Sequence, residues 1–141
     1  MKVIIDTNVA IDIMAHRDEF IDDSAKVFTF CCSELVEGFF SSSTFSDLHY
    51  ILHKYIHDEN SVRRSMAFWL NMMGILEVNE LDCKRAILSK MMDYEDALLA
   101  EVGRRHGIDY IVTRNAKDFV NSPVPAVTPH DFIEIAMKYQ Q

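Results

Sequence analysis

The chain has 141 residues, a length at which one folded domain is usual and a hydrophobic core stabilises the fold without disulfides or a structural metal. Its net charge of −8 excludes nucleic-acid binding by bulk positive charge and leaves open a local basic patch or a metal-bridged contact with phosphate. Glycine (4 residues) and proline (3 residues) are scarce, which excludes collagen-like and disordered chains and favours a helix-rich domain with short loops.

The cysteines and the apolar runs indicate the compartment. Cys31, Cys32 and Cys83 form neither an even-numbered set nor a C-x-x-C motif, so we expect free thiols. No apolar run reaches the roughly 18 residues of a membrane span, and Asp6 interrupts the N-terminal apolar run, unlike a signal peptide. The sequence therefore predicts a soluble, cytoplasmic protein without a membrane partner.

Strand and helix patterns alternate along the chain. The β-branched run Lys2–Ile5 predicts a short buried strand, and a helix follows it. Phe20–Val36 is a predicted helix that Gly38 ends, and a strand is expected at 39–42. The remaining predictions are helices over 44–56, 58–74, 81–91, 93–106 and 131–139, and strands over 75–78, 110–113 and 126–127. This alternation, without hairpin signals, predicts one α/β domain over residues 1–141 with a mainly parallel sheet.

Acidic residues recur next to the predicted strands. Asp6 follows the first strand, Asp47 lies early in the helix after the second, and Asp93 and Asp96 open the helix before the fourth. Ligands of open parallel sheets bind beyond the carboxyl ends of the strands, so these acids are expected to converge there. Clustered carboxylates repel one another unless cations lie between them, and their hard oxygens suit Mg²⁺ or Mn²⁺. Two such ions can activate water for phosphodiester cleavage.

Polar residues also follow the fourth strand. Asn115 and Asp118 could add oxygen ligands to the acidic site, and Thr113 is a candidate for substrate binding. Arg114 and Lys117 are candidates for RNA contact, because this loop should border the site.

Each acid also has a purely local interpretation. Asp6 and Asp93 could cap their helices, Asp47 could be a solvated acid of a first turn, and Asp96 occupies a capping-box position. The polar residues after the fourth strand could form a turn. The joint pattern, rather than any single acid, favours the metal site.

Five segments resemble PIN-domain nucleases and together span essentially the whole chain. They are D-T-N-V (6–9), S-S-S-T-F-S-D-L (41–48), D-Y-E-D-A-L-L-A (93–100), G-I-D-Y-I-V-T-R-N-A-K-D-F (107–119) and P-A-V-T-P-H-D-F (125–132). The first and the last motifs are fairly specific together, and the segment at 41–48 is weak.

The resemblance implies a three-layer α/β/α fold and a Mg²⁺- or Mn²⁺-dependent ribonuclease. Many small bacterial members of this kind are VapC-type toxins, which implies an RNA substrate, a cognate antitoxin and a homodimer. By this resemblance, Asp6, Asp47 and Asp96 match the family's acidic site, and Asp93 is a candidate for an additional metal ligand.

Two polar residues match the family pattern at the acidic site, and two residues of that site depart from it. Thr113 and Asn115 match the family's residues after the fourth strand. Asp47 stands where Glu is common and is one methylene shorter. Asn115 stands where many members have Asp, so a second metal would bind more weakly unless Asp118 compensates.

Two further patterns stay open. His49, His53 and His57 recur every four residues and form one helix stripe, which is either a solvated edge or a transition-metal site. The methionines and aromatic residues of 62–73 wrap much of one helix, as core packing or as a dimer or partner surface.

Two other functions compete with the nuclease. A phosphotransfer domain of the haloacid-dehalogenase type needs Asp where Asn8 stands, and a receiver domain needs its Asp at a strand end, whereas Asp47 falls in a helix. A PIN-like binding module with weak or no activity is the stronger alternative, and the departure at Asn115 motivates it.

Overall fold

Five parallel strands form the central sheet of the computed structural model, which describes residues 1–141. The strand order is β3-β2-β1-β4-β5, with β1 (Lys2–Ile5), β2 (Glu37–Ser41), β3 (Gly74–Leu76), β4 (Tyr110–Val112) and β5 (Ala126–Val127). The helices are α1 (Thr7–Met14), α2 (Ile21–Cys31), α3 (Ser42–Ile56), α4 (Glu59–Met72), α5 (Glu80–Leu88), α6 (Tyr94–Arg105) and α7 (Pro129–Tyr139), and Ala116–Phe119 form a short 3-10 helix. None of the helices combines the length and apolar character that crossing a membrane requires.

The central strand β1 separates two hydrophobic cores. Val3 and Ile5 pack into a cluster of 18 buried residues with α1, α2, α3, α4 and α7. Ile4 points to the other face, where 12 buried residues join α5 and α6 to the sheet. Because the sheet is buried on both faces, the sequences of its strands are nearly continuous apolar runs. The predicted three-layer α/β/α fold with a parallel sheet is confirmed.

Polar caps connect the strands to the helices that follow them. Six of the seven α-helices begin after a side-chain oxygen that accepts a backbone N–H of the first turn, namely Asp6, Ser41, Asp58, Asn79, Asp93 and Thr128. Asp6 and Ser41 lie at the very ends of β1 and β2, so α1 and α3 start at the carboxyl edge of the sheet. This edge is where ligands of parallel sheets bind.

The structure corrects the predicted helix over Phe20–Val36. Helix α2 ends at Cys31, and Gly38 lies within β2 instead of terminating a helix. A Cβ atom on Gly38 would lie 2.7 Å from both Cβ and Sγ of Cys31 and 2.8 Å from Cε of Met73. The glycine therefore allows α2 and the end of α4 to pack closely against the strand.

Smaller corrections concern the ends of neighbouring elements. The strand predicted over 75–78 is Gly74–Leu76, and the helix predicted over 81–91 ends at Leu88. The apolar helix α4 divides its large residues: Val62 and Trp69 are buried, whereas Phe68 and Leu70 are exposed. Core packing thus explains one face of this helix.

Candidate active site

Asp6 joins the end of β1 to the loop after β4. Its Oδ1 accepts the backbone N–H of Thr7 at 2.7 Å, and its Oδ2 accepts hydrogen bonds from Thr113 Oγ1 at 2.8 Å and Asn8 Nδ2 at 3.2 Å. Burial raises the pKa of Asp6, and the hydrogen bonds from Thr113 and Thr7 oppose this rise. Asp6 therefore caps α1 and also belongs to a polar cluster at the sheet edge.

Asn8 connects the start of α1 to the loop after β4. Its Oδ1 accepts the backbone N–H of Arg114 at 3.1 Å, and its Nδ2 donates to Thr113 Oγ1 at 3.3 Å. The backbone N–H of Asn115 donates to the same hydroxyl at 3.1 Å. This role of Asn8 was not predicted from the sequence, where Asn8 counted as the position at which a haloacid-dehalogenase-type domain needs Asp. Its place two residues after Asp6 is the signal that could have identified it.

The acidic cavity is a depression of about 760 Å³ at this edge. Five of the predicted site residues line it: Asp6, Asp47, Asp93, Asp96 and Asn115. They come from four places in the fold, namely the end of β1, α3, the start of α6 and the loop after β4. Asp6 and Asp96 are half-buried, whereas the other three are exposed.

Asp96 is the acid of the cavity whose pKa is affected by several neighbouring carboxylates. Burial raises the pKa of its carboxyl group, and the negative charges of Asp6, Asp93, Asp118 and Glu95 raise it further, to about 7. Its backbone N–H donates to Asp93 Oδ1 at 3.0 Å, so Asp93 acts as the cap of α6 and keeps its carboxylate near Asp96. No basic residue is among the causes that shift the pKa of Asp96, so its carboxyl group is surrounded mainly by other acids.

Asp118 and Lys117 lie in an adjoining cavity of about 500 Å³, which shares Asp93 and Asp96 with the acidic cavity. Asp118 is close enough to Asp96 for its negative charge to raise the pKa of that carboxyl group. No three His, Cys, Asp or Glu side chains are preassembled as a metal-binding group. The acids share cavities without forming a closed ligand cage.

Arg114 points away from the acidic cavity. Its Nε lies 2.9 Å from Oδ2 of Asp12, a fully buried carboxylate on α1 that also accepts Ser24 Oγ at 3.0 Å. The guanidinium lies 4.1 Å from the ring centre of Phe20. The sequence analysis missed Asp12, whose signal is a lone acid between Ile11 and Ile13 in an apolar helix.

The cavity wall contains residues that the motifs did not indicate. Arg17, Tyr50 and Tyr94 line it, and Arg17 Nη2 donates to the hydroxyl of Tyr55 at 3.0 Å. Both lining tyrosines are exposed. No periodic pattern distinguishes them from other surface aromatic residues.

The histidine stripe contacts a carboxylate of the next helix. His49 Nε2 lies 2.9 Å from both oxygens of Glu59, and His53 Nε2 lies 3.4 Å from Oε2 of the same residue. Arg63 Nε donates to Glu59 Oε1 at 2.7 Å. His57 ends α3 in a left-handed conformation with φ of 56°. The stripe thus links α3 to α4.

Comparison by sequence identifies one family. The family model described as PIN domain matches residues 2–117. A search of curated proteins finds no significant match.

Solved structures share the fold at low identity. A chain of the VapBC2 complex from Rickettsia felis, bound to a DNA fragment from its promoter, has a TM-score of 0.71 and 14% identity, with 91% of this chain and 98% of that chain covered. A chain of a toxin–antitoxin complex from Klebsiella pneumoniae has a TM-score of 0.66 and 22% identity, with 90% and 97% covered. DNA-bound VapBC from Salmonella typhimurium has a TM-score of 0.70 and 16% identity, with 92% and 98% covered.

Proposed function

The chain belongs to the PIN domain family, and on this premise we propose that it is a metal-dependent endoribonuclease and the toxin of a toxin–antitoxin pair. The observation that carries the proposal is the convergence of Asp6, Asp47, Asp93 and Asp96 on one cavity. Burial first, and then the negative charges of the neighbouring acids, raise the pKa of Asp96 to about 7, as expected of a carboxyl group in a crowded acidic cavity. Family members are nucleases, and a nuclease site of this type concentrates carboxylates around cations.

The donor set fits Mg²⁺ or Mn²⁺. Every proposed ligand supplies hard oxygen, and the mutual repulsion around Asp96 is relieved when a divalent cation binds. Asp6, Asp47 and Asp96 would hold the ion, with Asp93 as an additional ligand and Asp118 reaching Asp96 from the adjoining cavity. When bound, the ion supplies charge stabilisation and a more acidic water for hydrolysis.

The residues of the chain position the phosphate and the attacking water. Water would attack phosphorus, its oxygen forming the new P–O bond while the bond to the leaving oxygen of the ribose breaks; the attacking water loses a proton to solvent and the leaving oxygen takes one up. Asp96 is half-buried and would act as a ligand of the ion, since a bound cation opposes protonation of its carboxylate. The amide of Asn115 borders the same cavity and is proposed to donate a hydrogen bond to the phosphate.

The loop after β4 is proposed to orient the substrate. Thr113 holds Asp6 by a hydrogen bond, and Lys117 is exposed at the adjoining cavity, where it can approach an RNA phosphate. Arg114 is ion-paired with Asp12, and this pair anchors the loop after β4 to α1. Arg114 is therefore proposed to help substrate binding by fixing the conformation of this loop as well as by its charge.

An antitoxin and a second copy of the chain are the proposed protein partners. The solved structures that share the fold are chains of VapBC and toxin–antitoxin complexes, which supports an antitoxin partner. The exposed Ile87, Leu88 and Met92 are apolar side chains that a homodimer could cover.

Cleavage of a mixed pool of single-stranded and structured RNA tests the nuclease. The purified chain is assayed with Mn²⁺, with Mg²⁺ and with EDTA, beside Asp6→Asn and Asp96→Asn. We expect metal-dependent cleavage that each substitution lowers at least about 100-fold, because each removes a charge from the cation site. Asp18→Asn, an exposed acid outside the cavity, is the matched control and should retain activity.

The outcomes separate the nuclease from a binding module. Retained activity in both site variants would refute the residue assignment. No cleavage together with no Mn²⁺-induced rise in the melting temperature would favour the inactive module, which the uncharged Asn115 supports.

A further inference from the structure

An aromatic ring and an ammonium group stand together on the outer face of α3. Tyr50 is 67% exposed, and Lys54 Nζ lies 4.3 Å from the centre of its ring. The two residues are one helical turn apart. A ring this exposed contributes little to the core and is accessible to a ligand.

Tyr50 lies between two depressions. It lines the acidic cavity, and it also lines a groove of about 410 Å³ with His49, His53, Lys54 and His57. A polymer that leaves the acidic cavity in this direction passes over Tyr50 before it reaches the groove. The groove is thus a continuation of the proposed active site.

The acids nearest this groove already have partners. Glu59 is held by His49, His53 and Arg63, and Asp58 accepts the backbone N–H and the hydroxyl of Ser61. Neither acid pairs with Lys54. The groove therefore presents an ammonium group that can meet an anionic ligand in an otherwise acidic protein.

We propose that Tyr50 and Lys54 form a subsite for an RNA nucleotide that lies beyond the two nucleotides flanking the cleaved phosphate in the acidic cavity. Tyr50 stacks on an unpaired base, and Lys54 contacts a backbone phosphate. The pairing of an aromatic face with a cation is the chemistry that single-stranded nucleic acid requires, whereas a purely apolar partner would leave Lys54 unused. The inference rests on the proposed nuclease function, because it assumes RNA in the cavity.

Substrate length provides the test. Cleavage kinetics of Tyr50→Ala and Lys54→Ala are measured with Mn²⁺ on an eight-nucleotide RNA and on a dinucleotide. For the longer RNA we expect Tyr50→Ala to raise KM roughly 5- to 100-fold, the usual effect of losing one base stack. KM for the dinucleotide should rise by a much smaller factor, since a dinucleotide meets Tyr50 only as part of the cavity wall and does not reach the groove. Lys54→Ala should lower the slope of log affinity against log salt by about 0.7, the loss of one phosphate contact on a single strand.

Matched variants separate recognition from folding. Tyr50→Phe keeps the aromatic ring and should therefore keep the native KM. Tyr139→Ala and Lys138→Ala are the surface controls: they alter an exposed Tyr and an exposed Lys of α7, outside both depressions, and should also keep the native KM. Equal increases in KM for both substrate lengths, or none for either, would overturn the subsite while cleavage by the native chain upholds the nuclease. Absence of metal-dependent cleavage by the native chain would overturn the proposed function and the subsite with it.

Discussion

At the scale of single residues, Asp96 is a carboxyl group that the proposed cation site requires but whose ionisation lowers the stability of the metal-free fold. Burial and the neighbouring charges of Asp6 and Asp93 raise its pKa to about 7. Folding thus favours its protonated form, and the associated stability is lost as pH rises from about 4 through 7. A site that binds cations must hold such repulsion in the metal-free state.

Replacing Asp96 by Asn should therefore stabilise the metal-free protein at pH 8. We expect the melting temperature in EDTA to rise by roughly 3 °C or more, with the difference from the native chain shrinking towards pH 4. Thermal denaturation from pH 4 to pH 8 measures this, with Asp18→Asn as the exposed control. Equal melting temperatures for native and Asp96→Asn proteins at pH 8 would contradict the electrostatic account.

At the scale of elements, the ion pair between Asp12 and Arg114 joins α1 to the loop after β4. Asp12 is fully buried, and its second oxygen, Oδ1, has no hydrogen-bond partner. Burial raises the pKa of Asp12, and the charge of Arg114 opposes this rise. The pair therefore fixes the relative position of two elements more than it adds net stability.

Asp12→Ala should destabilise the fold by about 3 kcal/mol, because it leaves the guanidinium of Arg114 partly buried without its counter-ion. Urea denaturation measures the free energy of unfolding. Glu80→Gln, which removes the exposed ion pair with Lys84, is the matched control and should change it by less than about 1 kcal/mol. A loss below 1 kcal/mol for Asp12→Ala would show that the loop holds its position without the pair.

At the scale of the whole molecule, the acidic cavity joins parts of the chain that are about 100 residues apart. Strand β1 pairs with β4 in a register that places Ile5 beside Val112, so Asp6 and Thr113 follow as neighbours. Helix α3 and the start of α6 add Asp47 and Asp96. A ligand of this cavity binds only the folded chain and stabilises the molecule as a unit.

Mn²⁺ should therefore raise the melting temperature of the native chain. At a free concentration 100 times its dissociation constant, the gain is about 2.7 kcal/mol, or roughly 5–10 °C for a chain of this size. Differential scanning calorimetry should show this rise in the native chain and in Asp18→Asn, and not in Asp96→Asn. A rise of the same size in Asp96→Asn would place the ion elsewhere.

Several contacts, both at the site and within the core, could be recognised only from the tertiary structure. Asp12 looked like an ordinary helix residue, and only the packing of α1 against the loop after β4 shows that it holds Arg114. Gly38 was predicted to end a helix, because a glycine's local conformational preference does not reveal a close approach of α2 and α4. The place of Tyr50 between two depressions likewise depends on the orientation of α3.

The sequence by itself determined the alternation of strands and helices, the parallel sheet and the family. These features follow from local signals: apolar runs, capping residues and short motifs, each readable within a few neighbouring residues. Its placement of acids next to strand ends also predicted that Asp6, Asp47, Asp93 and Asp96 would lie at one edge of the sheet, where they line the acidic cavity. Charge partners, close backbone approaches and the neighbours of a surface ring depend on residues far apart in the chain, and only folding brings those together.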